Sequence, residues 1–237
     1  MLQIKNLSVK VGEKQILNQI SFDFETGKNY CILGKNGSGK SSLAMTLAGN
    51  PKYEISEGEL LLDGHSLKEM SPDERNRAGI FLTFQNIPEI PGVKLFEFLK
   101  TIYDARAEKP STFLEFKKII EPLMAELEIE KAFLWRDLNV GFSGGEKRKI
   151  EVLQIKLLKP KYIILDEIDS GLDVNAVRQV AELLKAVNTE ENSFIVITHL
   201  FEMLQELPLE KILILEQGKI KAIGGRELME QVRKEGF

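Results

Sequence analysis

The loop from Gly34 to Ser41 carries the residue types that bind phosphate groups. Its sequence, Gly-Lys-Asn-Gly-Ser-Gly-Lys-Ser, matches the pattern G-x-x-x-x-G-K-[ST]. Glycines let successive backbone N–H groups point at one anion, and the dipole of a following helix adds positive potential. Lys40 can supply a full charge to the outer phosphates, and Ser41 can offer its hydroxyl to Mg²⁺. The loop therefore predicts a binding site for a nucleoside triphosphate.

The flanking segments support this interpretation. The apolar run Tyr30–Leu33 predicts a strand that enters the loop, and Ser41–Ala48 predicts a helix that leaves it. The residues predicted to contact the nucleotide here are Gly34, Lys35, Asn36, Gly37, Ser38, Gly39, Lys40, Ser41 and Ser42.

Two adjacent carboxylates follow a second apolar run, Tyr162–Leu165. A strand delivers them at its carboxyl end, where open α/β sheets place their ligands. Asp166 suits a Mg²⁺ role, and Glu167 can orient or deprotonate a water that attacks the γ-phosphate. An isolated Asp-Glu pair would by default start a surface loop, but the upstream phosphate loop favours the catalytic interpretation.

A third element, Ser143-Gly144-Gly145-Glu146, precedes an apolar helical face. Ser143 and Glu146 fit a capping box, so one interpretation is simply a well-started helix. Two glycines directly after the cap weaken the helix and leave its N-terminal amides open to an anion. The pattern therefore predicts a second phosphate site. The apolar face consists of Ile150, Leu153, Leu157 and Leu158.

The composition limits the classes of protein to which the chain can belong. Its 237 residues allow one large α/β domain or a core with an inserted subdomain. The single cysteine, Cys31, lies in an apolar run and predicts an inert core thiol that forms no intramolecular disulfide. It excludes a Cys-rich metal or iron–sulfur site built by this chain alone. A reducing cytoplasm is the expected location.

Charge and hydropathy argue against two further classes. The net charge of −4 gives no nucleic-acid footprint, and the basic cluster Lys147–Lys149 is interpreted as a solvated helix face. The longest apolar stretches have about five residues, far below the roughly 20 that span a bilayer. Met1–Lys5 begins a strand rather than a signal peptide. We expect a soluble chain, so any role at a membrane would need a partner.

Apolar periodicity predicts an α/β fold. Residues 2–33 alternate with period two, which predicts antiparallel strands, and Gly58–Gly64 adds a strand and turn. Ile80–Phe84 predicts a buried strand that ends on Gln85. Tyr162–Leu165 and Phe194–Ile197 are short continuous apolar runs, typical of parallel strands covered on both faces.

Between Gln85 and Pro160 the spacing becomes helical. We predict a catalytic core formed by 1–84 and 161–237 and an inserted helical subdomain over 85–160. Thr112–Glu115 offers a capping box, and Pro122 predicts a kink or two shorter helices. The predicted apolar face of this helix consists of Phe116, Ile119, Ile120, Leu123 and Leu127.

Together these residues resemble the ABC-type ATPases over essentially the whole chain. The further landmarks are Gln85 as the Q-loop, Ser170–Asp173 as the D-loop, and His199 after a strand. The resemblance implies a P-loop NTPase fold with an N-terminal antiparallel β subdomain, a mixed core sheet and an inserted helical subdomain. It also implies Mg²⁺-dependent hydrolysis of ATP. The implied Mg²⁺ ligands are Ser41, Gln85 and Asp166, and the implied catalytic residues are Glu167, His199 and Lys40.

The resemblance also implies a transient, ATP-dependent head-to-tail homodimer. Ser143, Gly144, Gly145 and Asp173 of one subunit would then contact the ATP held by the other. The chain departs from the family near the first strands, where the aromatic residue that usually stacks on adenine is missing. Only apolar packing by Val11 is expected there.

Within the family the chain is most similar to the SufC ATPases of the SUF iron–sulfur cluster assembly system. The stretches that carry this resemblance are Asn139–Lys147, Leu165–Asp173 and Pro88–Val93. The resemblance implies scaffold partners related to SufB and SufD, reshaped by ATP-driven dimerisation. Two alternatives are the nucleotide-binding subunit of a membrane transporter and a non-catalytic, nucleotide-gated module. Glu167 and His199 together weaken the second alternative.

The segment Ile87–Val93 has two prolines and a glycine, which stiffen it and favour an extended shape. One interpretation is a rigid connector with a private apolar anchor. The other is a docking surface for a scaffold subunit, with Phe96 and Phe98 as possible aromatic anchors.

Overall fold

The computed structural model describes residues 1–168, 174–198 and 207–235. In chain order the described elements are β1 (Leu2–Val11), β2 (Lys14–Phe24), β3 (Asn29–Leu33), α1 (Lys40–Leu47), β4 (Glu54–Leu62), β5 (His65–Ser66), α2 (Pro72–Ala78), β6 (Ile80–Thr83), β7 (Ile90–Lys94), α3 (Leu95–Asp104), α4 (Phe113–Glu126), a 3₁₀ helix (Lys131–Trp135), β8 (Asp137–Leu138), α5 (Gly144–Leu158), β9 (Tyr162–Asp166), α6 (Val174–Val187), β10 (Ser193–Ile197), β11 (Leu209–Glu216), β12 (Lys219–Gly224) and α7 (Arg226–Glu235).

These elements form two compact units. The first contains Met1–Thr83, Pro160–Ile168 and the described residues from Asn188 onwards. The second contains Phe84–Lys159 and helix α6. The predicted core, 1–84 and 161–237, included α6. Nothing in the sequence of this helix marks it as part of the helical unit. No helix among the described residues is long and apolar enough to cross a membrane.

An antiparallel sheet begins the first unit. Its strand order is β2-β1-β4-β5, as the period-two pattern predicts. The buried face of β1 changes from even to odd positions between Ile4 and Leu7, where the register with β2 shifts. Asn6 lies at this irregularity with a φ of 50° and its N–H donates to Ser21 Oγ at 2.8 Å. The bulge therefore keeps apolar residues on the core side along the whole strand.

The second sheet of this unit has six strands in the order β12-β11-β3-β10-β9-β6. All neighbours are parallel except β11 and β12, so the sheet is mixed. Every residue of β3, β9 and β10 is buried, which confirms that these short apolar runs are central strands. Cys31 is among them, and burial raises the pKa of its thiol, as expected for an inert core cysteine.

One buried hydroxyl joins the two sheets. Tyr162 Oη, at the start of β9, donates to the carbonyl oxygen of Phe24 at 2.9 Å and accepts from the N–H of Leu2 at 3.0 Å. The Oγ1 of Thr26 lies 2.9 Å from the same atom. Because these partners end β2 and begin β1, the hydroxyl fixes the antiparallel sheet to the strand that carries the two carboxylates.

The second unit is mainly helical. Helix α4 begins at the predicted capping box, where the N–H of Glu115 donates to Thr112 Oγ1 at 3.3 Å. Of the two alternatives predicted at Pro122, two shorter helices are wrong because α4 continues through this residue, whereas the kink stays a prediction. Its buried positions are Phe116, Ile120 and Met124, followed by Leu127 at its end, whereas Ile119 and Leu123 are half-buried.

Two predictions about the surface of this unit are also wrong. Arg148 is only 4% exposed, so Lys147–Lys149 is not a solvated face. Phe96 is 4% exposed and lies under Trp135, with ring centroids 5.3 Å apart, so it is not itself an exposed anchor. The segment after Gln85 forms strand β7, which pairs with β8. Ile90 is 37% exposed there, and Ile87 and Val93 are half-buried.

Candidate active site

The predicted phosphate loop joins β3 to α1 in the first unit, as the strand–loop–helix pattern requires. Gly39 caps α1 with a φ of 108°, a backbone conformation that residues with a side chain rarely adopt. A Cβ there would also lie 2.9 Å from Leu17 Cδ2. Lys35, Asn36 and Gly37 at the tip are exposed, and Ser42 in α1 is half-buried. The loop therefore presents its main chain and the helix N-terminus to an anion.

Two polar side chains are buried within this loop. Lys40 is 5% exposed, and its Nζ donates to the carbonyl oxygens of Gly34 at 2.8 Å and Lys35 at 3.2 Å. Burial lowers the pKa of Lys40, and the negative charges of Glu167 and Asp166 oppose that change. Ser38 Oγ is buried and has no hydrogen-bond partner within the described part of the chain. An additional acceptor at the loop would satisfy it.

The first of the two carboxylates lies against this loop. Asp166 ends β9 and is 1% exposed, and Ser41 Oγ donates to its Oδ1 at 3.1 Å. Its N–H donates to Thr83 Oγ1 at 3.3 Å, so a neighbouring strand fixes its main chain. Burial raises the pKa of Asp166, and the bond from Ser41 opposes that rise. A cation at these two oxygens would favour the ionised carboxylate.

Glu167 leaves the sheet in a strained conformation. Its φ is 47°, which is uncommon for a residue other than glycine, and its N–H donates to the carbonyl oxygen of Ile197 at 2.8 Å. Strand β10, which ends at Ile197, lies between β3 and β9 in the sheet. The phosphate loop and both carboxylates therefore leave parallel strands at the same edge of the sheet.

These residues fit a triphosphate with Mg²⁺. The orphaned Ser38 hydroxyl and the Lys40 ammonium supply donors for phosphate oxygens. Ser41 and Asp166, whose side-chain oxygens lie 3.1 Å apart, would supply hard oxygen ligands of the kind that Mg²⁺ prefers. The metal would neutralise charge on the phosphates. Glu167 is the residue that follows Asp166 in the chain.

The Ser-Gly-Gly element starts a helix in the second unit, as predicted. The N–H of Ser143 donates to a carboxylate oxygen of Glu146 at 2.6 Å, and the N–H of Glu146 donates to Ser143 Oγ at 3.3 Å. A Cβ at Gly145 would meet nothing within 4 Å. The chain's own packing therefore does not require glycine at this position, and Ser143 and Gly144 are exposed.

A buried ion pair on the same helix holds the main chain beside Gln85. Arg148 Nη1 donates to Glu151 at 2.6 Å and to the carbonyl oxygen of Phe84 at 2.7 Å, and Nη2 donates to that of Gln85 at 3.2 Å. Glu151 in turn accepts from the N–H of Phe84 at 2.9 Å. Sequence reasoning missed this pair. Its signal was the i, i+3 spacing of Arg148 and Glu151 on an otherwise apolar helix face.

For the other predicted site residues, the structure shows only their position and exposure, or does not describe them. Val11 is half-buried at the end of β1, opposite Lys14 in the β1–β2 hairpin. The side chain of Gln85 is exposed. His199, Asp173 and the rest of the predicted D-loop, Ser170–Leu172, lie outside the described residues.

Comparisons with known proteins identify the family. A family model described as "ABC transporter" matches residues 17–170, which include the phosphate loop, Ser143–Gly145 and both carboxylates. The chain belongs to this family. The predicted resemblance to ABC-type ATPases is therefore confirmed, and ATP hydrolysis is the activity that the family implies.

Relatives match this ABC-type ATPase over its full length. A "Probable ATP-dependent transporter ycf16" from Antithamnion sp. is 41% identical over 241 residues, covering 100% of this chain and 96% of the relative. A "Probable ATP-dependent transporter SufC" from Escherichia coli K12 is 39% identical over 241 residues, covering 100% and 97%.

Solved structures confirm the fold. An ATP-binding cassette solved as a dimer with ADP and Pi has a TM-score of 0.79 at 22% identity, covering 94% of this chain and 98% of that one. An ATP-binding subunit of an ABC transporter has a TM-score of 0.80 at 24% identity, covering 100% and 93%.

Proposed function

We propose that this ABC-type ATPase is the ATP-hydrolysing subunit of a cytoplasmic SUF-type iron–sulfur cluster assembly complex. The observation that carries the proposal is the full-length match to SufC at 39% identity. The SufC-like stretches Asn139–Lys147 and Pro88–Val93 support it. The two units would then serve as a catalytic core and a helical subdomain that couples ATP binding to scaffold proteins related to SufB and SufD.

In the catalytic core, Lys40 and the loop amides would bind the phosphates, with Val11 packing near the base. Ser41, Asp166 and Gln85 would hold Mg²⁺, and Glu167 and His199 would position and activate the attacking water. The contact between Ser41 and Asp166 supports the metal assignment.

Glu167→Gln tests the chemistry, because it keeps the shape of the side chain and removes the base. ATP turnover should fall by roughly 10² to 10⁴, the usual contribution of a general base, while ATP binding is retained. Glu59→Gln is the matched control, since Glu59 is an exposed carboxylate of the same unit, paired with Lys5 at 3.9 Å. Unchanged turnover in Glu167→Gln would remove Glu167 from the mechanism.

The helix N-terminus at Ser143–Gly145 would bind the γ-phosphate held by a second subunit, whose nucleotide the D-loop residue Asp173 would also approach. The support is the free space around Gly145, which leaves room for a phosphate without any demand from the chain's own packing. ATP should therefore drive a transient head-to-tail dimer.

Gly145→Ala tests the dimer. We expect Glu167→Gln to dimerise with ATP and Mg²⁺ in light scattering, and Glu167→Gln/Gly145→Ala to stay monomeric. Because the added methyl group meets nothing in its own subunit, the thermal stability of the monomer should not fall. Equal dimerisation of the two proteins would show that this helix does not meet the nucleotide.

The helical unit offers a surface for the scaffold. We call Phe113, Leu114 and Trp135 the apolar patch; these side chains are 46%, 67% and 50% exposed. Trp135 stacks on Phe96 at 5.3 Å and on Phe113 at 6.0 Å, so its ring is held in place. Rigid, exposed aromatic side chains are typical anchors of protein interfaces. The exposed Ile90 in the segment after Gln85 would extend this docking surface.

Leu114→Lys and Ile223→Lys form a matched pair that tests the docking surface. Both replace an exposed apolar residue, but Ile223 is 48% exposed and lies in β12 of the other unit. Tagged Leu114→Lys should lose the scaffold in affinity purification from the native host, and Ile223→Lys should keep it. Equal recovery with both variants would place docking elsewhere.

The second candidate is the nucleotide-binding subunit of a membrane transporter, which the names of the relatives favour. The same purification discriminates between them. A partner with several transmembrane helices would support the transporter, whereas soluble scaffold proteins would support the assembly complex.

A further inference from the structure

The turn between β11 and β12 binds the main chain of the phosphate loop. The N–H of Gly218 donates to the carbonyl oxygen of Ser38 at 2.9 Å. The carbonyl oxygen of Gly218 accepts from the N–H of Asn18 in β2 at 2.8 Å. One residue, more than 170 positions from the loop, therefore bridges it to the antiparallel sheet.

The turn fits this position only because Gly218 has no side chain. Gly218 is buried, with a φ of 75°, and follows Gln217, whose φ is 49°. A Cβ at Gly218 would overlap the carbonyl oxygen of Ile16 and lie 3.2 Å from Leu17 Cα. Backbone atoms cannot rotate away as a side chain can, so any larger residue must move the turn away from β2.

The same hairpin also contacts the start of the loop. A Cβ at Gly34 would overlap the carbonyl oxygen of Leu215 in β11. At the other end of the loop, a Cβ at Gly39 would lie 3.5 Å from Gly218 Cα. The hairpin thus lies against both ends of the loop, and at Gly34 its backbone leaves no room for a Cβ.

We propose that the β11–β12 hairpin positions the phosphate loop and that Gly218 is a positioning residue for phosphate binding. Displacing the turn would move Ser38 O and, with it, the amides and the Lys40 ammonium that bind the triphosphate. The proposal depends on ATP binding at the loop and not on the identity of the protein partner.

The chain contains a matched control for this turn. Asp63 and Gly64 connect β4 to β5 with φ angles of 50° and 83°, close to the 49° and 75° of the β11–β12 turn. Gly64 is exposed, and a Cβ there would meet nothing within 4 Å. Substituting either glycine imposes similar backbone strain, but only Gly218 contacts the loop.

The test compares Gly218→Ala with Gly64→Ala in the full chain. By calorimetric titration with Mg·ATP, the affinity of Gly218→Ala should fall at least about tenfold, whereas that of Gly64→Ala should equal the wild type. The titration is done below the melting temperature of each variant, so lost binding is not lost folding. Wild-type affinity in Gly218→Ala, or equal losses in both variants, would overturn the proposal.

Asparagine variants separate strain from contact. Asparagine tolerates a left-handed backbone better than alanine does but still carries a Cβ. Gly218→Asn should therefore bind ATP as poorly as Gly218→Ala. Rescue of ATP affinity in Gly218→Asn would assign the effect to backbone strain alone and overturn the positioning role.

If Gly218→Ala fails to fold, amide exchange in the wild-type protein decides the question. Mg·ATP should slow exchange at the amides of Gly218 and Asn18 along with those of the phosphate loop, and leave the β4–β5 turn unchanged. Protection confined to the loop would show that the hairpin does not sense the nucleotide.

Discussion

The loop after β3 and the segment after β6 are held in opposite ways. The phosphate loop lies against main-chain atoms of the β11–β12 hairpin, and a Cβ at Gly34 would overlap the carbonyl oxygen of Leu215. The segment Phe84–Gln85 is instead held by two charged side chains, Arg148 and Glu151, which bind its N–H and carbonyl groups.

The difference has a physical consequence. A main-chain contact carries no net charge and requires only that side chains be absent, so pH does not alter it. The Arg148–Glu151 pair is buried, with both side chains 5% exposed, and each charge depends on the other. One substitution or a proton can therefore weaken it. The site for phosphate is rigidly built, whereas the segment that begins at Gln85 is held by a contact that can be broken.

Breaking the ion pair should give the largest effect. Arg148→Met leaves Glu151 buried without its partner and removes the donors to the carbonyl oxygens of Phe84 and Gln85. The free energy of unfolding, measured in urea at neutral pH, should fall by about 3–5 kcal/mol. Arg148→Met/Glu151→Gln is the control, and it should lose less because no unpaired charge stays buried. Equal losses would mean that the charge is not the cause.

The Arg148–Glu151 pair should also make the stability of the protein depend on pH. Burial raises the pKa of Glu151, and Arg148 opposes that rise, so Arg148→Met should raise it further. A carboxyl whose pKa is raised on folding favours the folded state at low pH and loses that contribution as pH rises through the folded pKa. The deficit of Arg148→Met relative to wild type should therefore grow between about pH 5 and pH 8. Arg148→Met/Glu151→Gln should show no such growth.

Within the phosphate loop, removing a side chain should affect binding more than folding. Lys40→Ala deletes a charge that donates to two loop carbonyls, but the main-chain contacts of the loop stay in place. ATP affinity should fall about 10- to 100-fold, the effect of losing hydrogen bonds from a charged group. Lys52→Ala, at an exposed position of the same unit, is the control for lost positive charge. Similar losses in both variants would indicate a non-specific charge effect.

The sequence predicted the parts of the site that local chemistry specifies. The phosphate-loop pattern requires its glycines and Lys40 within a few residues, and strand β9 carries its two carboxylates directly after an apolar run. The capping boxes at Thr112 and Ser143 were predicted for the same reason, since each involves residues three positions apart.

What the sequence did not reveal depends on distant residues. Gly218 resembles any hairpin glycine, because its requirement comes from Ile16 and Ser38, which lie far away in the chain. Arg148 looks solvated between two lysines until Glu151 and the Phe84 carbonyl surround it. At Pro122 the local rule for proline allows either a kink or a break, and only the structure shows that helix α4 continues through it.

The smallest effect is expected at the β4–β5 turn, which has similar φ angles and carries exposed ion pairs. Asp63 binds the N-terminal ammonium and Lys161, and these bonds lower its pKa to about 2. A carboxyl with a lowered pKa stabilises the fold above its unfolded pKa and loses that contribution as pH falls through the folded pKa.

Asp63 is 43% exposed, so Asp63→Asn should lower the free energy of unfolding by less than about 1 kcal/mol at neutral pH after screening. The cost should shrink in high salt and as pH falls from about 4 towards 2. ATP affinity should not change. A loss of ATP affinity in Asp63→Asn would show that this turn is coupled to the nucleotide site and is not an inert counterpart of the β11–β12 turn.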